Sequence, residues 1–200
     1  MNNPVPGWHL HPQLADDTHP IAQLGLCELR LMDDANHPWL ILVPRVEGAT
    51  EWTDLDPQQQ AALTAEIDLA CRALQQVFRP HKLIVAALGN LVAQRHVHAV
   101  ARFENDIAWP RPVWGTASAK PYAPEILIER IQRVLWWQYH VADFDGLDVT
   151  DPTRFLDGVE ERVASGRLVP YRPQRLDIPA VFASLATAPA NEDRMQRVSR

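Results

Sequence analysis

Cysteine is nearly absent: Cys27 and Cys71 are the only two in 200 residues, and no Cys-x-x-Cys spacing occurs. That leaves neither a disulfide framework nor a cysteine zinc site. No apolar run approaches the ~18 residues that crossing a bilayer takes. The opening stretch, residues 1–14, lacks a basic region followed by an apolar one, so it does not read as a secretory leader. A basic stripe is missing too: 19 Lys and Arg face 25 Asp and Glu, a net charge of −6. This argues against a nucleic-acid backbone as partner but leaves room for a small anionic ligand held by a few local donors. The expectation is a cytoplasmic protein with reduced thiols that engages neither membrane nor nucleic acid. What remains is an ordinary globular composition, 46% hydrophobic and 22% charged. Its length suits one full domain with an appendage, or two small domains.

The first ~30 residues hold several Pro and His. Gly25 to Met32 alternates as a strand, residues 33–38 have turn composition, and Trp39 to Val43 reads as a second, more buried strand. The two most simply pair as an antiparallel hairpin. Asp56-Pro57 opens a helix, with Asp as N-cap and Pro at the first helical position. Leu63, Ile67, Ala70, Leu74 and Val77 form its apolar stripe, and Arg79-Pro80 ends it near Phe78. Lys82 to Leu88 is a third strand, Gly89-Asn90 a turn, and residues 94–102 a fourth strand. Strands and a helix in this order predict an α+β domain built on an antiparallel sheet. Beyond Phe103 come a Trp/Pro-rich loop over 106–115, a helix from Pro124 to about Tyr139, another from Asp151-Pro152 to Ala164, and a short one over 178–186.

The stretch Gln94-Arg-His96-Val-His98-Ala-Val100-Ala-Arg102 is where chemistry is expected. Side chains on a strand alternate faces, so Gln94, His96, His98, Val100 and Arg102 share one side. Val97, Ala99, Ala101 and Phe103 face the other and look like core. Two imidazoles and an amide in one row are costly to spend on packing. His9-Leu-His11 repeats the two-apart spacing in a Pro-rich segment, with no acidic or cysteine partner beside it to suggest a metal.

This stretch resembles the signature of the histidine triad (HIT) superfamily, His-x-His-x-His followed by two apolar residues. Here it reads Gln94-x-His96-x-His98-x-Val100, with glutamine in the first triad place. A second register makes His96 the first histidine; the first register is preferred because Ala101-Arg102 then falls on the Pro-Arg that often follows the motif. Leu40-Ile-Leu-Val-Pro-Arg45 resembles the strand that precedes the family's helix. Gly89 to His98, with Ala108-Trp-Pro-Arg-Pro-Val-Trp-Gly115, is similar to a group of short proteobacterial members. The match spans roughly residues 8–140.

The resemblance implies a HIT-like antiparallel sheet with a long helix and a C-terminal helix over 1–141, followed by a mainly helical extension over 142–200. It implies a nucleotide-binding homodimer and attack of the central histidine, His96, on an α-phosphate to give a nucleotidyl-histidine. His98, about 7 Å along the strand, donates to a phosphoryl oxygen in this picture. Gln94 stands where the first histidine would be and cannot supply a proton near neutral pH. Asn90 becomes an amide donor to phosphate, Asp33 a partner for the ribose hydroxyls (with Asp34 or Asn36 as substitutes), and Arg102 a phosphate contact. Leu26, Leu31 and Leu42 are candidates for an apolar base pocket. No protein-bound metal or cofactor is implied; Mg²⁺ would arrive only with a polyphosphate substrate. Three readings stay open: a hydrolase or nucleotidyl transferase acting on a dinucleoside polyphosphate or nucleoside phosphoramidate, a catalytically weakened nucleotide sensor or scaffold, or a metal site at His96 and His98.

Overall fold

The structure, a computed structural model, describes residues 6–139 and 152–166. The predicted helix over 178–186 and most of the extension lie outside the described residues. Five strands form one antiparallel sheet: β1 (Thr18–Gln23), β2 (Cys27–Met32), β3 (Trp39–Pro44), β4 (Lys82–Ala86) and β5 (Val97–Arg102), in spatial order β1-β2-β3-β5-β4. The α-helices among the described residues are α1 (Pro12–Asp17), α2 (Pro57–Phe78), α3 (Pro124–Tyr139) and α4 (Pro152–Ala164). Among the described residues no helix is long and apolar enough to cross a membrane.

The β2–β3 hairpin is as the sequence predicts, with Leu29 opposite Leu42 and Leu31 opposite Leu40. Strand β1 is, with helix α1, an element the sequence reading leaves out. Pro20 interrupts its pattern, and proline is compatible only with an edge strand or a bulge. Both hold here: β1 is an edge strand, and its register against β2 shifts between Pro20 and Ala22.

Helix α2 begins with a capping box, in which Asp56 and Gln59 exchange side-chain-to-backbone hydrogen bonds. It ends at Arg79, whose φ of 49° is left-handed. Its buried residues Leu63, Ala70, Ala73 and Leu74, together with Leu127, Ile131 and Val134 of α3, cover one sheet face. That face contributes Leu29, Leu31, Leu40, Leu42, Val97, Ala99 and Ala101. Leu31 and Leu42 thus belong to the core between sheet and helices, which corrects their reading as base-pocket residues; Leu26 packs at the margin of the same core.

The second face is also covered. Trp39, Ile41, Val43 and Val100 form a second core with Leu14, Val92, Ala108 and Val113, and Trp8, Leu10 and Trp114 pack against it. β5 is therefore buried along its entire length. At its end Arg102, 1% exposed, donates from Nε to Asp106 Oδ2 at 2.7 Å and from a terminal nitrogen to Oδ1 at 3.0 Å. Asp106 also accepts the Phe103 and Ala108 N–H groups, so it ties the loop after β5 into a tight turn. Burial alone would raise its pKa, but the Arg102 bonds, the two N–H donors and the Arg102 charge together hold it at about 2.

Replacing Asp106 by Ala leaves this guanidinium buried without its counter-ion, and denaturant unfolding should show a loss of about 3–5 kcal/mol. The depressed carboxyl adds stability above the unfolded-state value of 3.8 that disappears as pH falls toward 2. Asp106→Ala should therefore flatten acid unfolding in that interval.

Candidate active site

His96 immediately precedes β5 and His98 lies within it, on the face opposite α2 and α3. Both side chains are 7% exposed. Their rings meet edge to face with centroids 4.8 Å apart. His96 Nδ1 lies 2.7 Å from the main-chain oxygen of Gln94. A carbonyl only accepts, so Nδ1 carries the proton and Nε2 keeps its lone pair. For His98 the logic is reversed. The Trp39 indole N–H, which only donates, reaches His98 Nδ1 at 3.1 Å, so His98 carries its proton on Nε2. The Trp39 and Trp114 rings pack on His98 with centroids 5.4 Å away in each case. One imidazole thus presents a bare Nε2 lone pair and its neighbour an Nε2–H.

Burial disfavours the imidazolium form of both. It lowers the His96 pKa, against the raising effect of the Gln94 carbonyl and with further lowering by the charges of Arg95 and His11. It lowers His98 to about 3, with the charge of His96 adding to the effect.

A cavity of about 200 Å³ opens beside His96, lined also by Thr50, Glu51, Gly89, Gln94 and Arg95. Gly89 makes the loop into the histidine segment possible, since its φ of +72° is left-handed. Asn90, the next residue, is exposed. Arg95 is a lining residue that strict strand alternation hides, because β5 begins only at Val97. Its guanidinium lies 5.8 Å over the Trp52 ring, and its buried Nε has no hydrogen-bond partner among the described residues.

The other residues singled out in the sequence are placed differently. Gln94 directs its amide to main chain: Oε1 accepts the His11 N–H and Nε2 donates to the His9 carbonyl, each at 2.8 Å. Asp33 Oδ1 accepts the Tyr122 N–H at 2.9 Å and lies 3.4 Å from His19 Nε2. Arg102 is enclosed in its pair with Asp106, away from the His96 cavity lining. His11, weighed in the sequence only as a metal ligand, lies next to Gln94.

His98 should stay neutral well below pH 6, and imidazole ¹⁵N spectra should show it as the Nε2–H form throughout. Because the unfolded chain takes up a proton near 6.5 that folded His98 refuses, its contribution to stability falls as pH drops from 6.5 toward 3. Trp39→Phe removes the indole donor, and the same spectra should then show mixed tautomers and a higher His98 pKa.

Three solved structures are similar over the same region. A histidine triad protein from Bradyrhizobium japonicum is 45% identical, over 65% of this chain and 97% of its own, with a TM-score of 0.64. One from Sinorhizobium meliloti is 42% identical over 64% and 95% (TM-score 0.63), and one from Marinobacter aquaeolei 39% over 65% and 95% (TM-score 0.64). No curated protein matches the chain. The family model that matches, the HIT domain, covers residues 13–105, the span that carries the sheet, α2 and both histidines. On this fold, this pair of imidazoles and near-complete alignment with solved relatives, the chain belongs to the histidine triad (HIT) family.

Proposed function

We propose that the protein is a nucleotide hydrolase or nucleotidyl transferase that works through a covalent nucleotidyl-His96. The observation that carries this reading is the opposed tautomers of the two buried rings: His96 with a free Nε2 lone pair, His98 with an Nε2–H donor. HIT proteins are generally nucleotide-binding hydrolases or transferases, though some are non-catalytic. The substrate class is a dinucleoside polyphosphate or a nucleoside phosphoramidate.

In the first step His96 Nε2 forms a bond to the α-phosphorus as the bond to the leaving group breaks. The leaving group departs with the bonding pair and takes a proton from solvent. The ring of the intermediate is cationic, and the Nδ1–H bonded to the Gln94 carbonyl disperses that charge. His98 Nε2–H meets the negative charge growing on a phosphoryl oxygen. Asn90 in the loop beside the cavity adds an amide donor. Water then attacks phosphorus, a proton goes to solvent, the nucleoside monophosphate leaves and His96 is regenerated. An acceptor hydroxyl in place of water makes the same chemistry a transfer.

A homodimer belongs to the same reading. The edge strand β4 exposes Val85, and the loop behind it exposes Leu88 and Leu91, apolar surface that a second copy would cover. Sedimentation equilibrium should return twice the chain mass.

Intact-protein mass spectrometry after brief mixing with diadenosine tetraphosphate, and with an adenosine phosphoramidate, tests the chemistry. Wild type should show an adenylyl adduct or nucleotide release, and His96→Ala neither. Full turnover by His96→Ala would eliminate the mechanism. Nucleotide bound without turnover by either protein would favour the sensor reading.

A further inference from the structure

A third histidine, His11, is tied to His96 through Gln94. The Gln94 side chain uses both of its polar atoms on the N-terminal segment, accepting the His11 N–H and donating to the His9 carbonyl, each at 2.8 Å. This is the way one strand residue grips another across a ladder, but here a side chain performs it over more than eighty residues of sequence. The opposite end of the same residue, its main-chain oxygen, holds His96 Nδ1 at 2.7 Å. Gln94 therefore touches His11 on one side and His96 on the other. The N-terminal segment is held by more than this clamp: Trp8 and Leu10 pack on the second core, of which buried Leu14 is part.

The ring of His11 has a determined polarity. Its Nδ1 accepts the Gln13 N–H at 3.1 Å as the N-cap of α1, so its proton sits on Nε2. The residue is exposed, which leaves that N–H open to solvent and to a ligand. A charge on His11 opposes protonation of His96.

We propose that His11 is a third imidazole of the active site, whose Nε2–H donates a hydrogen bond to the phosphate under attack by His96, and that Gln94 is the residue that positions it. No proton is transferred: the His11 N–H stabilises charge as it develops on the phosphate. The inference rests on the phosphoryl-transfer reading above and adds a residue to it. It also assigns Gln94 a positioning role in place of direct contact with substrate.

His11→Asn separates this role from simple helix capping. Asn is as good an N-cap as any residue and keeps an acceptor for the Gln13 N–H, but it has no ring N–H. Steady-state turnover of an adenosine phosphoramidate by the full chain should show kcat reduced by roughly 10- to 100-fold in His11→Asn and in His11→Ala. That lies below the ~10²–10³ cost of losing a fully enclosed oxyanion donor, because this one is exposed. KM should change little. Gln94→Ala should resemble His11→Asn, and the double variant should be no slower than either single one. Gln94→His should slow the enzyme, because it breaks the clamp.

Wild-type kcat in His11→Asn, with His96→Ala dead, would overturn the inference and leave the phosphoryl-transfer reading standing. Turnover that survives in His96→Ala, or is absent from wild type, would remove that reading and the His11 role with it.

Discussion

A strand buried on both faces must spend every side chain on packing unless something pairs with the polar ones, and β5 is such a strand. Its inner row, Val97, Ala99 and Ala101, is small and apolar and lets α2 and α3 sit close to the sheet. Its outer row carries an imidazole at position 98 and a guanidinium at position 102, with His96 just ahead of the strand, all nearly removed from water. Each has one dedicated partner. The Gln94 carbonyl takes His96, the Trp39 indole takes His98, and Asp106 takes Arg102. Remove those partners and the outer face of β5 becomes a row of unsatisfied polar groups.

The same burial that demands these partners also sets the protonation of the two rings. A low-dielectric setting keeps both imidazoles neutral, and the partner of each decides which nitrogen bears the proton. The carbonyl leaves His96 Nε2 bare, whereas the indole leaves His98 Nε2 protonated. Opposite tautomers side by side, at a ring separation of 4.8 Å, need no charged group between them.

The elements that complete the second face come from distant parts of the chain. The loop after β5 returns Ala108, Val113 and Trp114 over the sheet, held at its start by Asp106. The N-terminal segment brings Trp8, Leu10 and Leu14 to the same surface. Gln94 joins that segment to His96 across more than eighty residues of sequence. A cover of this kind excludes water from His98 while the cavity beside His96 stays open.

By itself the sequence determined the α+β sheet, the β2–β3 hairpin, the limits of α2 and the division of residues 96–102 between two faces. Those features follow from local rules: a period of two in a strand, Asp-Pro at a helix start, proline after a helix end. The sequence also singled out His96 and His98 through the spacing and its family resemblance. The tertiary structure alone decided partnership. Nothing local says that Trp39 would point its N–H at His98, that Arg102 would be sealed against Asp106, or that Leu31 and Leu42 would face the helices. Strand β1 escaped notice because Pro20 breaks the pattern that its edge position and bulge tolerate. His11 and Gln94 met for the same reason: a hydrogen bond across more than eighty residues depends on how separate elements stack, and no window of sequence contains it.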